Sequence, residues 1–312
     1  MDNADTALGS LNVCRYGVRM RGRSKALTVG WLLLLAALQC LAFVALWQFA
    51  VGTERGQLLD TVALTGNTIG QDRVDEPVGT VLNAVSAVSL LAATVFIGFI
   101  ALIRGRILLA VVTTGLIAGA NVTTQVLKYV IERPDFGADP ERDGAGNSLP
   151  SGHTTVAAAV AVALVLALPR RLRAWGAMLA ASYAAITGAA TLSAGWHRPS
   201  DAMASMLVVG AWAAVAGIVL LLNHREDAEV NSEDAHQLAT TLLLLTGVAL
   251  LGVAALAVDW TGEVLSIPAD ELSRRRLFVA YAGGGAGIAG VAFLMVGLVL
   301  ATVHRVVPRH VG

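Results

Sequence analysis

Eight apolar runs, at about 26–51, 78–103, 107–131, 153–169, 175–195, 201–223, 240–258 and 277–303, dominate this chain. Runs of roughly 20 residues are what the hydrocarbon core of a bilayer asks of a helix. Inside that core every backbone N–H and C=O must be satisfied within the protein, so open sheets and bare loops are ruled out. The chain is therefore expected to be all-α, a polytopic transmembrane helical bundle. A composition of 56% hydrophobic and 14% charged residues fits that expectation. No stretch between the runs is long enough for a soluble domain, and no internal repeat stands out.

Charge sets the expected orientation. Arg15, Arg19, Arg21, Arg23 and Lys25 precede the first run, and basic residues next to a span stay on the cytoplasmic side. That run is longer than a signal peptide's and lacks a small-residue cleavage site. The alternation then keeps both termini, Arg104/Arg106, the Arg170–Arg173 turn and 224–239 inside. It places 52–77, 132–152, 196–200 and 259–276 outside. Arg274, Arg275 and Arg276 run against the rule by falling outside. Formal net charge is +0 and no basic tract with interleaved aromatics appears, which argues against nucleic acid. Cys14 and Cys40 are not placed to pair.

Two polar clusters sit hard against the starts of apolar runs. One is Pro150-Ser151-Gly152-His153 and the other Trp196-His197-Arg198-Pro199-Ser200-Asp201. Ionisable groups in such places are costly and read as functional. The topology places His153 and His197 on the outer face, and His224, His236, His304 and His310 inside. Lys128 and Arg133 close the third span on the same outer face.

Each residue type has a chemical reason for its place. A phosphate ester needs fixed cations; arginine grips two oxygens in a planar fork and lysine acts as a point charge. Ser151 can cap the fourth span, whose N-terminal amides and dipole then face an anion. Gly152 lets the backbone approach the ligand. If the turn at His197 is helical, Asp201 four residues on can hold one imidazole nitrogen and leave the other to attack phosphorus. His153 would protonate the departing oxygen. The bland readings are snorkelling cations, helix caps and inert interfacial histidines; the joint presence on one face favours function. Asp135, Asp139, Glu141 and Asp143 lack the spacing of a calcium loop and read as a solvated acidic loop. No cysteine or third histidine joins His153 and His197, which argues against zinc. Neither a metal nor another cofactor is expected.

These residues resemble the type-2 phosphatidic acid phosphatase superfamily, which includes vanadium haloperoxidases and bacterial acid phosphatases. Its pattern is K-x6-R-P, then P-S-G-H, then S-R-x5-H-x3-D. Residues 150–153 match the second motif fully, and His197 with Asp201 matches the end of the third. Arg133-Pro134 comes five residues after Lys128 instead of seven, where Asp135 stands. Ala190 and Thr191 occupy the serine and arginine positions of the third motif, so one phosphate-binding cation is missing, and Arg198 is the candidate replacement.

The resemblance implies a six-span phosphatase core over 26–223, behind a basic tail at 1–25. A cytoplasmic loop at 224–239, two extra transmembrane helices over 240–303 and a tail at 304–312 complete the expected organisation. It implies a cell-membrane enzyme hydrolysing a lipid phosphate or diphosphate ester at the outer face, without metal, through a phosphohistidine on His197. The expected catalytic set is His197, His153 and Asp201; the expected binding set is Lys128, Arg133, Ser151, Gly152 and Arg198. A lipid phosphotransferase with the same site, or a non-catalytic lipid-phosphate binder, are the alternatives.

Overall fold

The computed structural model describes residues 3–69, 79–80, 95, 99, 106–139, 146–223 and 236–306, with side chains from Lys25 onward except at 304 and 305. Among these residues the chain is helical, without strands. The helices are α1 (Asn3–Ala50), α2 (Glu54–Thr65), α3 (Ile107–Val130), α4 (Gly152–Ala167), α5 (Arg170–Ser193), α6 (Pro199–Leu222), α7 (Gln237–Gly262) and α8 (Arg274–Val306). The second expected span, 78–103, lies almost wholly outside the described residues.

Among the described residues five helices are long and apolar enough to cross a membrane: Lys25–Ala50 within α1, then α3, α6, α7 and Arg274–Val303 of α8. The chain is a membrane protein. The fourth and fifth expected spans depart from expectation. Helix α4 has only 16 residues, roughly 24 Å of rise, and α5 begins with three arginines in its first four residues. The reason for α4 lies in packing. Ala157, Ala158, Ala159, Ala161, Val162, Ala163 and Val165 are all buried, so it is sheathed by other helices and need not match the bilayer thickness. Its alanines let neighbouring backbones come close, which drives helix association in lipid.

Helices α6 and α8 bury 61% and 56% of their most apolar windows, against 11% for α1 and 22% for α7. So α6 and α8 are inner helices, while α1 and α7 turn Leu33, Leu41, Leu245 and Leu256 outward. The last helix therefore packs inside the bundle. Ile288, Ala292, Val296 and Leu300, each four residues apart, are buried on one stripe of α8. The glycines of α8 contribute to packing unevenly. A Cβ on Gly284 would lie 2.6 Å from Pro199 Cγ, and one on Gly290 2.9 Å from Leu251, whereas Gly285 has nothing within 4 Å.

Lys128 in the last turn of α3, the starts of α4 and α6, and α2 gather at one end of the bundle. The Pro169–Arg170 turn, Asn223 and His236 mark the other. His224 and His310 lie outside the described residues.

Candidate active site

The two polar clusters are stitched together through their backbones. Ser151 N–H donates to the Asp201 carbonyl at 3.0 Å. Ser205, one turn along α6, donates its hydroxyl to the Ser151 carbonyl at 2.7 Å and shares it with that of Asp201 at 2.9 Å. Ser151 caps α4 as expected, its Oγ accepting from Thr154 N–H at 3.4 Å and from the Thr154 hydroxyl at 3.1 Å. Thr124 of α3 reaches Thr155 at 2.9 Å. Three helices thus converge on one hydrogen-bonded floor.

His197 and Asp201 meet, though by another route than a helical turn. Helix α6 starts only at Pro199, and Arg198 is its extended N-cap residue. His197 lies before it, anchored when its own N–H and that of Trp196 both donate to the Thr191 carbonyl, at 3.2 and 3.0 Å. Gly195, at φ 70°, makes the left-handed turn that this return requires. Asp201 Oδ2 then accepts from Arg198 N–H at 3.0 Å, from Ser148 Oγ at 2.7 Å and lies 3.3 Å from His197 Nδ1. The carboxylate caps its helix and fixes the imidazole with the same oxygen, so Nε2 is the nitrogen left to react.

Arg133 is the most telling group. Its side chain is 9% exposed, and none of its three guanidinium nitrogens has a hydrogen-bond partner. Its nearest opposite charge is Asp201 Oδ1 at 3.9 Å, an oxygen that itself accepts no hydrogen bond. Burial, then the charge of Arg198, push Arg133 below the ordinary arginine value, while Asp201, Asp60 and Asp139 oppose the shift. It keeps its proton at neutral pH all the same. A buried fork of donors with no hydrogen bond costs several kcal/mol, on the order of what a bound anion restores.

His153 is half-buried, its ring tilted 48° against Trp196 at 5.3 Å between centroids. The charges of His197 and Lys128 both act on it, and Lys128 in turn feels Asp201. Gly152 is not demanded by packing, since a Cβ there would meet only the Gln125 amide, at 3.8 Å. The structure thus brings Lys128, Arg133, Ser151, Gly152, His153, His197 and Asp201 together.

Two expectations about charge are revised. Arg198 is buried, but its guanidinium is bound to Asp139 at 2.5 Å and to Ser148 at 3.4 Å, so much of its charge is already offset. Asp139 is accordingly no solvated loop acid; Asp135 is a turn acid, accepting from Gly137 N–H at 2.8 Å. Thr191, in the place of the family arginine, is buried and gives its hydroxyl to the Gly188 carbonyl at 2.8 Å. Sequence reading missed Ser148, Ser205, Asp60 and Gln57. Ser148 stands two residues before the Pro150 motif and was findable; Asp60, an acid in the apolar-rich Gln57–Leu64 stretch, gave little signal.

Among the described residues no cluster of three or more histidine, cysteine or acidic side chains is arranged to hold a metal ion. Comparison with known families matches residues 106–225 to the PAP2 superfamily. No curated protein and no solved structure matches the chain.

Proposed function

With a PAP2-superfamily core at residues 106–225 as premise, we propose that this membrane protein hydrolyses a lipid phosphate or diphosphate ester at the outer face of the cell membrane. The family supports a phosphoric ester hydrolase in general terms, and the lipid and the mechanism are our reading of the site. The observation that carries it is the buried Arg133 guanidinium, without a hydrogen-bond partner, beside the His197–Asp201 pair. A fork of donors facing a held imidazole suits a phosphoryl group under in-line attack.

The steps follow from the side chains. Lys128, Arg133 and the first amides of α4 hold the phosphoryl oxygens. His197 Nε2 attacks phosphorus and the ester P–O bond breaks, with protonated His153 giving its proton to the departing oxygen. A water then attacks the phosphohistidine as His153 takes its proton, which frees inorganic phosphate and restores both rings. Asp201 stabilises the positive charge that grows on His197. Arg198 orders Ser148 and the Asp139 segment and adds what charge Asp139 leaves it.

A lipid suits the surroundings. Tyr129, Val130 and Trp196 are exposed beside the site, an apolar rim that a chain-bearing substrate would cover. The test is release of inorganic phosphate from a panel of lipid phosphates by the detergent-purified protein, with and without chelator. Release that survives chelation and is abolished by His197→Ala is expected. Release that depends on an added acceptor would instead indicate a phosphotransferase, and binding without release a non-catalytic relative.

A further inference from the structure

Helix α2 lies outside the matched core, yet two of its side chains reach the candidate site. Asp60 accepts from the Ser200 N–H at 3.4 Å and, at short range, from the Ser200 hydroxyl. Ser200 stands beside Asp201 in the first turn of α6, and its N–H is one of those a helix cannot satisfy internally. Gln57, three residues earlier and therefore on the same face, donates from Nε2 to the Pro134 carbonyl at 2.9 Å and to the Val51 carbonyl at 2.8 Å. Pro134 directly follows Arg133. One helix face thus grips both halves of the site.

The far sides of α2 are anchored independently. Thr53 caps it, accepting from Gly56 N–H at 3.0 Å. A Cβ on Gly56 would strike the Phe49 backbone at the end of α1. At the other end, a Cβ on Gly66 would meet the Leu277 carbonyl oxygen of α8 at 2.5 Å and Tyr281 Cβ at 2.6 Å. Wedged between α1 and α8, α2 can transmit their positions to the site. Gln57 and Asp60 are 5% and 7% exposed. A buried acid and amide are dearer than apolar packing, which fits a task that needs an acceptor and a donor at set points.

We propose that α2 is a positioning clamp, in which Asp60 registers the His197–Asp201 half of the site and Gln57 the Arg133 half. This rests on the phosphatase reading above. Neither residue touches substrate; each acts through a neighbour, so their effects separate. Loss of Asp60 disturbs attack at phosphorus, and loss of Gln57 disturbs the grip on phosphate.

The experiment uses the full chain in detergent with Asp60→Ala, Asp60→Asn and Gln57→Leu. It reads kcat and KM on a lipid phosphate that the protein hydrolyses, and binding of inorganic phosphate by calorimetry. Asp60→Ala should lower kcat by roughly tenfold or more, the scale expected for a slightly misplaced nucleophile, with phosphate affinity held within about twofold. Asp60→Asn, which can still accept from the N–H and pair with the hydroxyl, should recover most of that loss. Gln57→Leu should weaken phosphate binding by about three- to tenfold while kcat falls less. An unchanged kcat in Asp60→Ala overturns the clamp, as does an equal fall of kcat and phosphate affinity in both variants, the mark of general loosening. A wild-type protein that binds phosphate but hydrolyses no lipid phosphate would sink the phosphatase reading instead. The clamp would then be decided by binding alone: Gln57→Leu must weaken it and Asp60→Ala must not.

Discussion

A side chain built to receive a ligand is poorly satisfied without one, and Arg133 meets that description more fully than any other residue of the site. Its three nitrogens lack partners and it is nearly buried, so it burdens the fold in proportion to its use. Arg133→Met should therefore lower turnover by about 10²- to 10³-fold, the range for removing a donor to transition-state charge, without lowering Tm. A fall in Tm with activity kept would mean that Arg133 is structural. Asp60 carries a similar burden of opposite sign. Burial, its largest influence, and the neighbouring Asp201 charge push its carboxyl up to about 6, against the Ser200 hydrogen bond and the charges of Arg133 and Arg198. A folded-state value above the unfolded one means that the folded protein loses stability as pH rises from about 4 to 6. Asp60→Asn should escape that loss: its Tm should exceed the wild-type value at pH 7, and the gap should close near pH 4. The sequence made Arg133 legible because its motif neighbours lie within a few residues and a helix end. Asp60 was not legible, because its partner, Ser200, is 140 residues away and only the packed bundle brings them together.

At the scale of elements, helix starts do the work. The starts of α4 and α6 carry the two motifs, and their apolar runs were plain in the sequence together with the end of the bundle they share. Sequence could not tell that His197 would stand outside its helix, since a return to the Thr191 carbonyl depends on where α5 stops. Nor could it tell that α8 would be an inner helix, because apolar runs facing lipid and facing protein look alike. That placement has a functional consequence. Pro199 is the first residue of α6, and Gly284 of α8 is the surface against which it rests. Gly284→Val would push Pro199, and with it Ser200 and Asp201, away from His197. Overpacking of this kind costs about 1–3 kcal/mol, and the displaced pair should lose roughly 10²-fold in turnover. Gly285→Ala, which fills open space, should leave activity unchanged and serves as the matched control. Equal loss in both variants would show that α8 tolerates no change at all, and that the Pro199 contact has no special role.

For the molecule as a whole, the question is which side of the membrane meets the site. The helices alternate so that Lys128, His153, His197 and α2 share one end, and Arg170, Asn223 and His236 the other. The basic Arg170-Arg171-Leu172-Arg173 turn belongs in the cytoplasm by the charge rule, which would turn the site outward. The Arg274–Arg276 triplet sits at the site end and pulls the other way, but it is one basic cluster set against the tail, Arg106 and the 170–173 turn. Labelling of intact cells decides between them. In a background with Cys14→Ser and Cys40→Ser, Phe136→Cys places a thiol beside the site and Leu172→Cys one at the opposite turn; both native side chains are exposed. A membrane-impermeant maleimide should modify the first in intact cells and the second only after permeabilisation. The reverse pattern would turn the site to the cytoplasm and move the proposed substrate to the inner leaflet, with the proposed roles of Arg133, His153 and His197 unaltered.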